Sequence, residues 1–318
     1  MNKRQLGRTD LEIAPLVLGT NVFGWTIDEA ASFEILDSFT DGGFNLIDTA
    51  DAYSTWVPGN KGGESETIIG NWMKKRNNRA DVLIATKVGS DMGNGKKGVT
   101  KKYILQAVED SLRRLQTDHI DLYQTHFDDE STPVEEALDA YDILIKDGKV
   151  RWTGTSNMSA ARLLKSLEAS VSNSYPVYHS LQPEYNLYAR EKYETNYEQI
   201  CIENNIGVIT YFSLASGFLT GKYRSEKDFG KSVRGGGMKK YLDKRGLAIL
   251  EAMDTVAKKH NSNDTGIALA WLLARSSVTA PIASATSAQQ LKDLIKATAL
   301  QLTAGDVILL DNASAWKE

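Results

Sequence analysis

The sequence predicts an α/β fold, a (β/α)8 TIM barrel with an N-terminal β-hairpin and a long loop after strand seven. Three observations carry that expectation. Eight short apolar runs alternate with segments of helical spacing along the 318 residues. The runs are nearly continuous in apolar residues, as parallel strands covered on both faces must be. Polar residues suited to chemistry end the second, third and fourth runs, at Asp48, Lys87 and His126, so that the steps 48→87 and 87→126 are both 39 residues. A strand, a helix and two loops fill such a step, and strand ends carrying chemistry are the layout of a barrel active site.

The elements follow in order. RQLGRTDLEIA near the start reads as a hairpin turning at GRTD. The barrel strands are PLVLG (15–19), FNLID (44–48), DVLIATK (81–87), HIDLYQTH (119–126), VRWTGTS (150–156), VYHSLQ (177–182), IGVITYF (206–212) and VTAPIA (278–283). Ile104, Leu105, Val108, Leu112 and Leu115 line one face of the third helix, with Thr100 as its N-cap. Thr132, Pro133 and Glu135 supply a cap, a first-turn proline and a capping-box acid for the fourth, and Gly148 ends it. No Pro/Ser-rich linker divides the chain, so residues 1–318 are expected to form a single domain. The connection over 213–244 is abnormally long and basic, with Lys222, Arg224, Lys227, Lys231, Arg234, Lys239 and Lys240. It reads either as a solvated surface loop or as a strap over a phosphate-bearing cofactor; barrels bind phosphate at the loops after strands seven and eight.

Composition bounds the partners. Charged residues are 25% and hydrophobic residues 42%, an ordinary globular balance. A formal net charge of −4 gives no support for nucleic acid. The first residues have no apolar core for a secretion signal, and the longest apolar run, IALAWLLA, is too short for a membrane span. The cytoplasm is the expected compartment. The single cysteine, Cys201, forms no internal disulfide and reads as buried packing in a helix. Whether the chain is a monomer or a homo-oligomer is left open.

Asp48, Tyr53, Lys87 and His126 form a set fit for carbonyl reduction. That reaction needs a hydride donor and an acid for the oxygen. A tyrosine hydroxyl is a neutral acid with an ordinary pKa of about 10. The Lys87 ammonium would favour the phenolate and lower that value, and Asp48 would hold the lysine. His126 would hydrogen-bond the substrate oxygen or relay a proton. These donors together would stabilise a developing alkoxide. No side chain gives a hydride, so a nicotinamide is required. Taken singly each residue has a plainer role: Asp48 a cap, Tyr53 rim cover, Lys87 a solvated strand-end charge, His126 a satisfied rim histidine. Their joint placement on consecutive strands favours chemistry.

With these residues in place, the chain resembles the aldo-keto reductase family. GFNLIDTADAY (43–53), GESETIIG (63–70), ATK (85–87), QTHFDD (124–129), GTSN (154–157), LQPEYNL (181–187) and YFSLASGFLTGKY (211–223) fall in the family's order and spacing. The resemblance extends from GRTD to QQL at 289–291. It implies the same barrel and places the family's tetrad on Asp48, Tyr53, Lys87 and His126. It places nicotinamide carboxamide contacts on Ser156, Asn157 and Gln182, and the stacking aromatic on Tyr211. The pyrophosphate falls on Ser213, Leu214, Gly217 and Lys222, with Thr20, Ser284, Thr286 and Gln290 completing the expected cofactor contacts.

The strand-eight region departs from the pattern. Ala283 stands where the family commonly has glycine, Ala285 where a basic residue meets the 2′-phosphate of NADP, and Leu294 where an asparagine meets adenine. NADP is the expected cofactor on family habit, with NAD open. Phe23, Trp25, Trp56 and Phe127 are the expected substrate walls, suited to a small apolar aldehyde or ketone. Two other classes compete: a cofactor-holding redox sensor similar to potassium channel β-subunits, and an aldolase using Lys87 as a Schiff base. No metal is expected, because His119, His126, His179 and His260 form no HxH or HExxH pair.

Overall fold

Eight short strands pair in sequence order and close on themselves. The computed structural model describes residues 2–93 and 95–316. The chain opens with an antiparallel pair, β1 (Arg4–Gln5) and β2 (Glu12–Ile13), as expected. The barrel strands are β3 (Val17–Gly19), β4 (Leu46–Asp48), β5 (Leu83–Val88), β6 (Ile120–Thr125), β7 (Val150–Ser156), β8 (Ser180–Gln182), β9 (Gly207–Thr210) and β10 (Ala280–Ala283). All neighbours are parallel, and β10 closes the ring against β3 with Ile282 opposite Val17.

The helices between them are α1 (Glu29–Asp41), α2 (Glu64–Arg76), α3 (Lys101–Leu115), α4 (Val134–Lys146), α5 (Ala160–Asn173), α6 (Glu191–Asn196), α7 (Glu198–Glu203), α8 (Lys244–Lys259), α9 (Asp264–Ala274), α10 (Ala288–Ala297) and α11 (Ala304–Ala313). Side-chain caps start most of the long ones: Asp28, Thr100, Ser159, Asp243, Asn263, Ser287 and Thr303 each accept from a first-turn N–H. Each such cap is worth about 1 kcal/mol. Gly148 follows α4 with φ +72°, the left-handed backbone expected of it.

Apolar packing falls into two zones. The larger lies between the barrel and its helices and contains Trp72, Leu138, Trp271 and Ile104. The smaller fills the barrel, where Val17, Leu46, Leu122, Ile209 and Ala280 meet Leu6, Leu11 and Ile13 from the hairpin. The hairpin therefore plugs the end opposite the C-terminal strand ends. Gly7 is required there, since a Cβ would sit 2.4 Å from the His179 carbonyl oxygen.

Three expectations change. α4 begins at Val134 after Pro133, and no side chain caps it. The Thr132 hydroxyl instead donates to Asp129 Oδ2 (3.0 Å), so the loop competes for it. Strand seven stops at Thr210 rather than 212, because Tyr211 makes only a bridge to Glu184 and Phe212 turns left-handed, φ +50°. The 213–244 segment is more ordered than expected. It folds into three 3₁₀ turns, Ala215–Thr220, Glu226–Lys231 and Gly235–Tyr241, with the Phe218 and Tyr241 rings stacked 5.1 Å apart.

Candidate active site

The site begins with register. Parallel pairing sets Gly19 beside Asp48, Asp48 beside Ala85, Lys87 beside Gln124 and Ser156 beside Gln182. Period-two alternation then turns Asp48, Lys87, Gln124 and Gln182 toward one another above the inner apolar plug. Lys87 is fully buried and its three protons are all used. It donates to Asp48 Oδ2 at 2.6 Å, to the Thr49 carbonyl at 2.7 Å and to the Tyr53 hydroxyl oxygen at 2.9 Å. The second Asp48 oxygen accepts from Gln182 (2.9 Å) and Gln124 (3.2 Å). A buried ion pair with every lone pair and proton engaged is the form that survives desolvation.

Electrostatics correct one expectation. Burial pushes the Tyr53 hydroxyl up to about 12; Lys87 pulls it down, but Asp48 opposes that pull. The phenol is therefore a firm neutral acid, not a softened one. Burial draws the Lys87 ammonium down, while Asp48 and Tyr53 raise it by more, so it stays charged. His126 lies well below its ordinary value, through burial first and Lys87 second. It is a neutral imidazole whose Nδ1 meets the Ser90 hydroxyl at 3.0 Å. If Ser90 donates there, Nε2 carries the proton.

Tyr53 and His126 floor a cavity of about 1000 Å³, which also takes in Trp56 and Phe127. Both of those rings are half exposed, at 49% and 48%. Trp25 stands edge-on to Trp56 at 5.6 Å, outside the cavity lining. Phe23 is not a wall: it is fully buried in the outer core, and its carbonyl accepts from Ser54.

Beside the tetrad runs a second polar chain. Tyr211 donates to Asn157 Oδ1 (3.1 Å), Asn157 to Ser156 (3.0 Å), and Ser156 to the Gln182 carbonyl (2.7 Å). The following turn holds Phe212, Ala215, Ser216 and Gly217 at positive φ, three of them without glycine's freedom. Among the described residues, the N–H groups of Ser213 and Leu214 have no acceptor. Unclaimed backbone donors on such a turn form an anion-binding concavity. Lys222 has no carboxylate partner among the described residues, whereas Arg224 is spent on Asp254 and Asp264. Thr20 is buried, donating to the Asp48 carbonyl and accepting from Ser65.

At β10 the Ser284 hydroxyl donates to Asn21 (2.7 Å), and the Thr286 hydroxyl and N–H both donate to Gln290 Oε1. Ala285 and Leu294 are buried at 1% and 3% exposure. Neither side chain faces the open surface. The exposed positions between 284 and 290 are Thr286, Ser287, Gln289 and Gln290.

A model described as the aldo/keto reductase family matches residues 15–315. The chain belongs to the aldo-keto reductase family. It is 33% identical to "Uncharacterized oxidoreductase YrpG" of Bacillus subtilis (strain 168), covering 95% of this chain and 92% of that one. It is 32% identical to "Aldo-keto reductase YhdN" of the same organism, covering 96% and 91%. It is 30% identical to a "Probable voltage-gated potassium channel subunit beta" of Arabidopsis thaliana, covering 93% and 91%. The chain is thus an oxidoreductase of a family that uses NAD(P)H on carbonyl compounds. No helix among the described residues is long and apolar enough to cross a membrane, and no cluster of potential metal ligands occurs among them.

Sequence reasoning missed Gln124 and Ser90. Gln124 lay in the quoted run QTH, two residues from Leu122 and His126, and strand alternation alone would have turned it inward. It also missed a buried set behind the strands. There Glu66 bonds Thr86 (2.6 Å) and Arg114 (2.6 Å), and Asp51 has no partner for either oxygen among the described residues.

Proposed function

We propose that this single barrel domain reduces small aldehydes or ketones to alcohols, with NADPH favoured over NADH. The observation that carries the reading is the Tyr53 hydroxyl, 2.9 Å from the Lys87 ammonium and opening on an aromatic-walled cavity. Ser156, Asn157 and Gln182 would hold the carboxamide of a nicotinamide, Tyr211 would stack on its ring, and Ser213, Leu214, Gly217 and Lys222 would take the pyrophosphate. Thr20, Ser284, Thr286 and Gln290 complete the proposed contacts. The unclaimed N–H groups after Tyr211 support that fit. When bound, the reduced cofactor supplies the hydride that no side chain can give.

The protein's own part is proton transfer. Lys87 donates to the phenol oxygen, and the phenol proton, which reaches Asp48 Oδ2 over a long 3.4 Å contact, would turn to the substrate oxygen when substrate binds. A developing alkoxide is more basic than a phenolate, so an acid with a pKa of about 12 still gives up its proton. The phenolate that remains lies against an ammonium that Asp48 holds in place. Neutral His126 adds a second donor to the same oxygen without adding a charge. Equilibrium titration with NADPH and NADH, followed by cofactor oxidation with an aldehyde panel, tests the reading. Tight binding of either cofactor with turnover supports it; no association with either rejects it.

The likeness to the plant β-subunit supports a second reading, a cofactor-holding redox sensor with slow chemistry. A stable oligomer that oxidises its bound cofactor once, with negligible steady turnover, would favour that reading.

A further inference from the structure

We propose that the substrate cavity selects by charge, favouring carbonyl compounds with a cationic group remote from the carbonyl and disfavouring anionic ones. The inference deepens the carbonyl-reduction reading and rests on it. One wall is the loop after β6. Arg162 of α5 fixes its course, gripping Asp128 at 2.7 and 2.9 Å and donating to the carbonyls of Asp129 and Thr132. The Asp128 charge is therefore spent.

The next two charges are not. Asp129 is held by the Ser131 hydroxyl (2.6 Å) and N–H (3.0 Å) and by Thr132, with no cation bridging it among the described residues. The Ser131 hydroxyl first, and then its N–H and Thr132, keep that carboxyl below the usual carboxylate range, so it is ionised at neutral pH. Glu130 is exposed and lines the cavity without a partner among the described residues.

On the facing wall Asp91 and Lys97 stand 3.9 Å apart and largely cancel. The two walls meet where a Cβ on Gly98 would lie 3.2 Å from Asp129 Oδ2. Deeper in, Lys87 is neutralised by Asp48. The mouth thus carries two carboxylates that no cation among the described residues bridges, with Arg162, already gripping Asp128, offsetting them only from a distance. They stand above the half-exposed rings of Trp56 and Phe127, and aromatic faces also attract cations.

The test compares kcat/KM for 4-(trimethylammonio)benzaldehyde and 4-carboxybenzaldehyde in the parent, Glu130→Gln and Glu130→Lys. Intrinsic reactivity differs between the two aldehydes but cancels when their ratio is compared across variants. One charge at this range is expected to move the ratio by about three- to tenfold. The ratio should fall in Glu130→Gln and further in Glu130→Lys. It should also fall in the parent when salt rises to about 0.5 M. A ratio unchanged in Glu130→Lys overturns the proposal. If the parent reduces neither aldehyde, the carbonyl-reduction reading fails on its own. Binding of the same compounds, read by tryptophan fluorescence, then decides the charge preference: tighter cation binding lost in Glu130→Lys sustains it, and equal binding overturns it.

Discussion

Asp48 and Asp51 lie three residues apart, both buried to 2% exposure or less, and they have opposite electrostatic lives. Asp48 faces into the barrel mouth, where Lys87, Gln124 and Gln182 meet its oxygens. Asp51 faces the space behind the strands, near Glu66 and Arg114, and neither of its oxygens finds a donor among the described residues. Burial, then the Glu66 charge, raises the Asp51 carboxyl from 3.8 to about 8 against the pull of Arg114. Depth does not decide whether a carboxyl is charged; partners do. The barrel mouth spends its hydrogen bonds on keeping one ammonium charged beside one phenol.

The largest expected break comes at Lys87. Lys87→Met leaves Asp48 buried without its counter-charge, at a cost of about 3–5 kcal/mol in urea unfolding. Turnover should fall at least about 10³-fold, since the phenolate left after proton transfer loses its ammonium. A variant as stable as the parent would mean that the pair does not depend on its partner.

Asp51→Asn sharpens the contrast with a gain. The unfolded chain releases the Asp51 proton near 3.8, while the folded chain keeps it until about 8. This group's contribution is therefore full below about pH 4 and lost as pH rises toward 8. The asparagine variant should gain on the parent by about 1–4 kcal/mol between about pH 5 and pH 8. Parallel stability curves for the two proteins would show that Asp51 has a partner after all.

A smaller effect is expected at Ser90. Ser90→Ala removes the hydroxyl at His126 Nδ1 and frees the ring to take either tautomer. Carbonyl reduction should slow by about three- to tenfold with cofactor affinity unchanged, a modest share of a general-acid contribution. No change would take His126 out of hydrogen bonding to substrate.

Much of this was legible in the sequence because barrels write chemistry at strand ends. The runs ending in Asp48, Lys87 and His126 gave the mouth its three strand-borne groups, and the hairpin and the eight-strand alternation are as expected. Inward alternation would have added Gln124. The cap at Thr132 was less legible, because the nearby Asp129 carboxylate competes for its hydroxyl. Phe23 looked like a wall residue since loop position says nothing about which way a ring turns. The Tyr53 acidity needed the structure, because the balance between a desolvated phenol and an ammonium 2.9 Å away depends on depth that sequence does not carry.

The most direct test is Tyr53→Phe under single-turnover conditions with cofactor bound. The account expects cofactor affinity within about threefold of the parent and carbonyl reduction slowed about 10²–10⁴-fold, the range of a lost general acid. Reduction at the parent rate would contradict it, and would move the proton donor to another group on the cavity floor.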